Sequence, residues 1–508
     1  MVMKYYKSFL LVTCLGLLIQ TSFLDAQNET SAGVEVPKVG LQQVEKKLDQ
    51  IIDKLDDSQK TLKEVAGEVR NVEAPEAPAV VAADSASAPA EQATVKTLQL
   101  NINYVWIVLC GALVFNMQAG FAMVELGFAR AKNSINIVMK NFLDFCISTI
   151  AFLFVGCGLM FGTSWKGLVG TDSFWLSHFP SDSDMWVFWF FQVVFAGTAC
   201  TIVSGAMAER TKFVGYLVYA AVLAGVIYPV CGHWVWGSFG GPFGLGTEGS
   251  KGWLEALGYI DFAGSSVVHS VGGACALAGI MVIGPRVGRF AKDGTPRLIA
   301  GHNIPLAALG TFILWFGWFG FNAGSTLVAS GAIGRIAVNT AVAPAAAAIA
   351  AMISMWFVQG RPDVGITLNG CLGGAVGVTA CCANITPASA FVVGIVAGLL
   401  TTFATIGIER IGLDDAVGAV PVHLVNGWWG ILSVAFFNEK GFDPRQLGVQ
   451  ALGVFSITVA AFVVCYVVFR CVHAFIGLRA SDQEQQDGLD FSEHSSNAYP
   501  DFHTSEQP

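Results

Sequence analysis

The sequence predicts an all-α membrane protein: eleven transmembrane helices built as an inverted 5+5 repeat, preceded by an N-terminal coiled-coil extension. Three observations carry that prediction. Of 508 residues, 54% are hydrophobic and only 13% charged, about half the charged share of an ordinary soluble domain. The charges are also segregated: residues 27–100 and the tail after Arg479 are polar, whereas residues 102–471 are apolar runs joined by short connections. Those runs are about twenty residues long, enough to cross about 30 Å of hydrocarbon as helix. Finally, a motif in the fifth run recurs in the tenth, 154 residues later.

Residues 1–26 have the form of a secretory signal, with Lys4 and Lys7 ahead of an apolar core from Ser8 to Phe23 and Ala26 before a cleavage point. An uncleaved first span is the alternative. The next segment, 27–72, reads as an extracytoplasmic coiled coil. Leu41, Val44, Leu48, Ile51, Leu55, Ser58, Leu62, Val65, Val69 and Val72 alternate three and four apart. Leu at a with β-branched residues at d shifts the preference to three or four strands; a single amphipathic helix on a surface is the simpler reading. Residues 73–100 form an Ala/Pro-rich linker, read as extended and flexible where Ala and Pro dominate.

The predicted spans are roughly 102–124, 137–161, 187–206, 214–236, 262–284, 304–327, 333–357, 364–382, 387–408, 416–437 and 447–471, making a membrane domain over 101–476. With the first span starting outside, inner connections and tail hold thirteen basic residues, Arg130, Lys132, Lys140, Arg210, Arg286 and Arg289 among them. The outer connections hold five: Lys166, Lys251, Arg335, Lys440 and Arg445. That asymmetry satisfies the positive-inside rule and agrees with the signal sequence. It places the N-terminus outside an inner or plasma membrane and the tail, 477–508, in the cytoplasm. The net charge of −9 comes largely from that tail and points to no nucleic-acid partner. The 12 cysteines include no CxxC pair and read as small apolar fillers, with no cofactor or metal implied.

The recurring motif is DFAGSSVVHSVGG at 261–273 and DAVGAVPVHLVNG at 415–427. Each has Asp, Gly three later, Val-His ending eight after the Asp, and Gly four beyond the His. The fifth and tenth spans run in opposite directions, so the halves repeat with inverted orientation, a plan that builds a site near the bilayer midplane. His269 and His423 thereby become a symmetry-related pair. An ionisable side chain in a membrane helix is costly and marks function by default, although packing histidines exist. Two neutral imidazoles that share a proton suit a small polar molecule or a proton, and no third metal ligand is evident. Trp236, at the outer end of the fourth span, offers a face to a cation, as well as being an ordinary interfacial tryptophan. Phe195 and Phe321 read as packing, and the 57 glycines allow close helix approach.

The stretches GFAMVELGFARAKN (120–133), FFQVVFAG (190–197), GAMAER (205–210), WVWG (234–237), WFGFNAGS (318–325), both histidine motifs and GLRASDQEQQDGLD in the tail resemble the ammonium transporter family (Amt/Mep/Rh). The likeness covers about residues 100–500. It implies a homotrimer with a passage through each protomer, in membrane lipid, that is no enzyme. It further implies ammonium recruitment by Trp236, Ser325, Phe195 and Asp261, the acid being structural or electrostatic rather than a ligand. Phe195 and Phe321 match a phenylalanine gate, and His269 and His423 match the twin histidines of a hydrophobic pore. Retention of Trp236 and Ser325 favours the Amt branch over a neutral Rh-like ammonia channel. The tail resembles the segment that contacts the PII signalling protein, and without the resemblance its seven acidic residues read as solvated disorder. A sensor on the same fold is the main rival; it predicts a fused kinase or loss of a vestibule or histidine residue, and those residues are all retained.

Overall fold

In lipid a backbone has no hydrogen-bond partner but itself, and the long apolar runs of this chain fold as helices. The computed structural model describes residues 87–177, 179–180, 184–246, 250–439 and 441–502. The signal sequence, the coiled-coil seam and the linker up to residue 86 lie outside the described residues.

Nine described helices are long and apolar enough to cross a membrane, and two more apolar helices are shorter, Val364–Thr379 and Val420–Phe436. In chain order they are α1 (Ser87–Phe128), α2 (Ala131–Phe161), α3 (Met185–Ala206), α4 (Phe213–Trp236), α5 (Ser265–Ile283), α6 (Ile304–Gly324), α7 (Ala332–Gln359), α8 (Val364–Thr379), α9 (Pro387–Arg410), α10 (Val420–Phe436) and α11 (Pro444–Phe475). Most ends fall within a few residues of the predicted spans. The exception is α1. Residues 87–100, expected to close a flexible linker, are its first turns. Pro89 falls in the opening turn, where a missing N–H costs nothing, and no proline follows it.

Local chemistry fixes several helix starts. Asn303 Oδ1 accepts from the Leu306 N–H at 3.1 Å, and Asp363 Oδ1 from Ile366 N–H at 2.8 Å. Pro387 and Pro444 open α9 and α11 at positions whose N–H needs no partner. Small residues then set the packing: a Cβ on Gly394 would sit 2.2 Å from the Ala343 carbonyl oxygen, and one on Gly398 2.2 Å from that of Ala347. Only glycine lets α9 lie this close to α7. Wide, π-helical turns interrupt α2 at Phe152–Gly156 and α4 at Leu223–Ile227, and open α5 at Ser265–Ser270 and α10 at Val420–Val425.

The tail differs from its sequence reading. Two short helices, α12 (Asp482–Asp487) and α13 (Leu489–His494), are ordered against the connections between spans. Lys212 N–H donates to the Leu478 carbonyl at 2.8 Å, Leu489 N–H to Asn133 Oδ1 at 3.0 Å, and Asn136 N–H to Asp490 Oδ1 at 2.8 Å. Composition misses this because the carboxylates of Asp490, Glu484 and Glu493 accept from backbone N–H groups, a use that residue type does not reveal. Beside the tail lies an ion cluster. Arg286 binds Asp414 through its backbone N–H at 2.8 Å and its guanidinium at 2.9 Å, while Glu209 pairs with Arg130 at 2.7 Å. Burial pushes the Asp414 carboxyl up, but Arg210 and Arg286 outweigh it and hold it well below the usual carboxylate range.

Candidate functional site

The two copies of the motif build the same local structure. Asp261 accepts from the backbone N–H groups of Gly264, Ser265, Ser266 and Val267 at 2.8–3.0 Å and from the Ser266 hydroxyl at 2.7 Å. Asp415 accepts from Gly418, Ala419 and Val420 N–H at 2.7–3.0 Å. Each carboxylate thus caps the orphan donors at the start of a half-helix. The glycine three residues on has φ +111° in the first copy and +84° in the second, a turn that side-chain-bearing residues avoid. These devices fix the direction in which α5 and α10 leave, and hence where their histidines meet.

His269 Nδ1 and His423 Nδ1 lie 3.1 Å apart, one donating and the other accepting. His269 is wholly buried and stacks on Trp318 (centroids 5.2 Å, 20°) and Phe321 (5.5 Å, 27°). Its Nε2 has no partner among the described residues. A third buried histidine shows what a packing role looks like. His233 has Nδ1 on the Met160 carbonyl and Nε2 on the Ser164 hydroxyl, both at 2.8 Å, so nothing is left for a solute.

On the side of His269 away from His423, Phe321 packs on Phe195 with centroids 4.1 Å apart. Beyond Phe195 is a recess of about 10 Å³ lined by Trp236, Ser325, Phe239 and Gln192, room for one water-sized molecule. Trp236 spends its indole N–H on the Asp261 carbonyl at 2.8 Å, which leaves its ring face as its contribution. Ser325 spends its hydroxyl proton on the Phe321 carbonyl at 2.8 Å, so what it offers the recess is oxygen lone pairs. That set receives a donor or a cation and repels an anion. Both oxygens of Asp261 are used in capping, so its charge acts through space and not by contact.

On the opposite side of the pair, His423 faces a cavity of about 30 Å³ lined also by Glu125, Thr201 and Asn369. The structure therefore brings together every site residue the sequence singled out, in the order Trp236 and Ser325, Phe195, Phe321, His269, His423, with Asp261 behind the first. Sequence reasoning missed Trp318, whose indole N–H is held by the Thr379 hydroxyl at 2.9 Å, and Gln192 of the recess. It also missed Glu125, one residue past the predicted end of the first span. A carboxylate so close to an apolar run was the available signal.

A narrow file of residues between two small cavities, sealed at its middle and buried among apolar helices, defines a multi-pass membrane protein that handles a small polar solute. The model of the Ammonium Transporter Family matches residues 105–499. The chain is 44% identical over 431 residues to ammonium transporter Amt2 of Archaeoglobus fulgidus, covering 80% of this chain and 89% of that protein. It is 39% identical to ammonium transporter Amt1 of Haloferax mediterranei, covering 79% and 80%. Its structure is similar to a solved protein described as a Sensor Amt Protein, with TM-score 0.75, 40% identity, and coverage of 78% of this chain and all of that one. This chain belongs to the ammonium transporter family.

Proposed function

We propose that the chain captures ammonium at the outer recess, where the ion loses its proton to water beside the phenylalanines, and passes ammonia along the histidine pair, with or without a coupled proton. The observation that carries this reading is the unbroken series from recess to Phe195 and Phe321 to His269 and His423 to inner cavity. Ammonium matches the recess: its charge meets the Trp236 face and its N–H donors meet the Ser325 lone pairs. Going further as an ion means shedding its water among apolar side chains, a cost of several kcal/mol or more. Losing a proton removes most of that cost and rejects ions, such as potassium, that have none to lose. Ammonia then offers a lone pair and N–H donors to imidazoles whose remaining nitrogens have no other duty.

The inverted 5+5 arrangement of eleven spans is supported by the paired caps, glycines and histidines. The basic residues of the inner connections support a cytoplasmic tail. The assembly is a homotrimer, with the N-terminal segment as a three-stranded coil or a partner-binding arm. The docked tail is the surface for a PII-type partner. A sensor with little conduction is kept as the second reading, favoured by the structural likeness to a Sensor Amt Protein.

The deciding experiment reconstitutes the purified protein in proteoliposomes and applies ammonium, with potassium as control. The expected result is an ammonium-specific current or an ammonia flux. Absence of both overturns the transport reading and leaves the sensor.

A further inference from the structure

The cavity beyond His423 contains a group that the reading above leaves idle. Glu125, near the end of α1, is 2% exposed. Its Oε2 accepts from Asn141 Nδ2 at 3.0 Å and Ser204 Oγ at 2.9 Å. Its Oε1 has no partner among the described residues, although the residue lines the cavity with Thr201, Asn369 and His423. No ion pair to Glu125 occurs among the described residues. The nearby cation, Lys140 of α2, is turned to the Thr211 carbonyl at 2.6 Å. The other titratable groups around it are Asp144 of α2, held by the Thr201 hydroxyl at 2.7 Å, Tyr216 of α4 and His423 of α10.

An unpaired carboxylate in this position is costly. Two things relieve the cost: a proton on Oε1, or a cation in the cavity. Ammonia arriving from His423 exchanges the first for the second. We propose that Glu125 is the proton donor and counter-charge of an inward-facing ammonium site. This rests on the reading that ammonia passes the histidines. The lone pair of ammonia forms the new N–H bond, the Oε1–H bond breaks with its electron pair left on the carboxylate, and the product is a buried ammonium–carboxylate pair. Ammonium leaves through the cavity mouth and the carboxylate takes a proton from water on that side. The cavity has room for about two water-sized molecules, enough for the ion and a water bridging it to Asn369.

The test uses full-length wild-type, Glu125→Gln and Glu125→Asp proteins in proteoliposomes, driven by an external methylammonium pulse at fixed external pH while internal pH is varied. Wild-type transport should fall as internal pH rises, because the carboxylate is reloaded from that side. Glu125→Gln should be about tenfold slower, below the usual range for a general acid because cavity water competes, and should lose the internal-pH response. Glu125→Asp should keep that response. Infrared difference spectra of purified wild-type protein should show a protonated-carboxyl band lost on adding methylammonium, moved in Glu125→Asp and missing in Glu125→Gln. Wild-type rate and pH response in Glu125→Gln overturn the proposal. If that variant does not fold, a wild-type spectrum without carboxyl loss overturns it instead. A wild-type protein with neither current nor methylammonium uptake refutes the transport reading on which it rests.

Discussion

The half-helices α5 and α10 share one backbone design and occupy opposite surroundings. Both begin with an aspartate cap, a positive-φ glycine and a wide turn, and both present a histidine at the same step. Yet His269 is wrapped by Trp318 and Phe321, while His423 borders the cavity that Glu125, Thr201 and Asn369 share with apolar side chains and, His269 aside, has among the described residues only Phe121 at ring distance, 6.3 Å. The anchors differ too. Before Asp261 stands Ile260, whose N–H and carbonyl are held by the amide of Gln450 at 2.9 and 2.6 Å. Before Asp415 stands Asp414, locked into arginines. Symmetry sets where the histidines meet; the asymmetric neighbours set what each of them faces.

The ionic anchor gives the largest way to break this comparison. Asp414→Ala leaves Arg286 buried without its partner and should cost about 4 kcal/mol, read as a lower thermal midpoint in detergent. Replacing Gln450 by Leu, on the other half, should cost less. The pH sign follows from the depressed Asp414 carboxyl. Its stabilisation is present at and above ordinary aspartate pKa values, and is lost progressively as pH falls below about 4. Wild-type unfolding should show that acid loss, and Asp414→Asn should flatten it.

Next come the caps. Asp261→Ala strips five hydrogen bonds and Asp415→Ala three, so losses of about 3 and about 2 kcal/mol are expected. Equal losses would show that the halves are not held as the hydrogen bonds imply. For transport, His269→Ala should lower ammonium-driven flux by roughly tenfold to a hundredfold, one to two steps of 1.4 kcal/mol. His423→Ala should do so less, since cavity water replaces part of what is lost. The smallest effect is at the glycines. Gly264→Ala brings a Cβ within 2.7 Å of Val268 and 3.1 Å of Trp236, whereas Gly418→Ala meets the movable end of Asn369 at 2.5 Å. About 2 and about 1 kcal/mol are expected from the positive φ with and without that crowding.

Much of this was legible in residue types. Hydropathy located the helices, because burial in lipid and backbone satisfaction select one structure for an apolar run. The repeat located the histidines, because two copies of a cap must build two copies of a turn. Other features resisted. The wide turns have no residue signature; in each, the backbone hydrogen bonding shifts by one residue, inside α2 and α4 as well as after the two aspartate caps. The tail looked solvated because acidic residues that accept from backbone donors are compositionally identical to those that face water. Trp318 looked like packing, since only its stack on His269 and its bond to Thr379 distinguish it from other membrane tryptophans. Residues 87–100 were misjudged because the Ala/Pro content that marks a linker ends at Pro89, and Ala, Gln, Leu and Lys beyond it favour helix.

The wide turns at Ser265–Ser270 and Val420–Val425 also set the rotational phase of the two histidine-bearing helices. Each holds one residue more than an α-helical turn would. Removing a single residue there and letting the helix relax would swing its histidine by roughly 100° about the helix axis, pointing it away from its partner. The pairing of His269 with His423 is therefore a matter of counting as much as of chemistry, and a one-residue deletion should abolish it where many side-chain changes only weaken it.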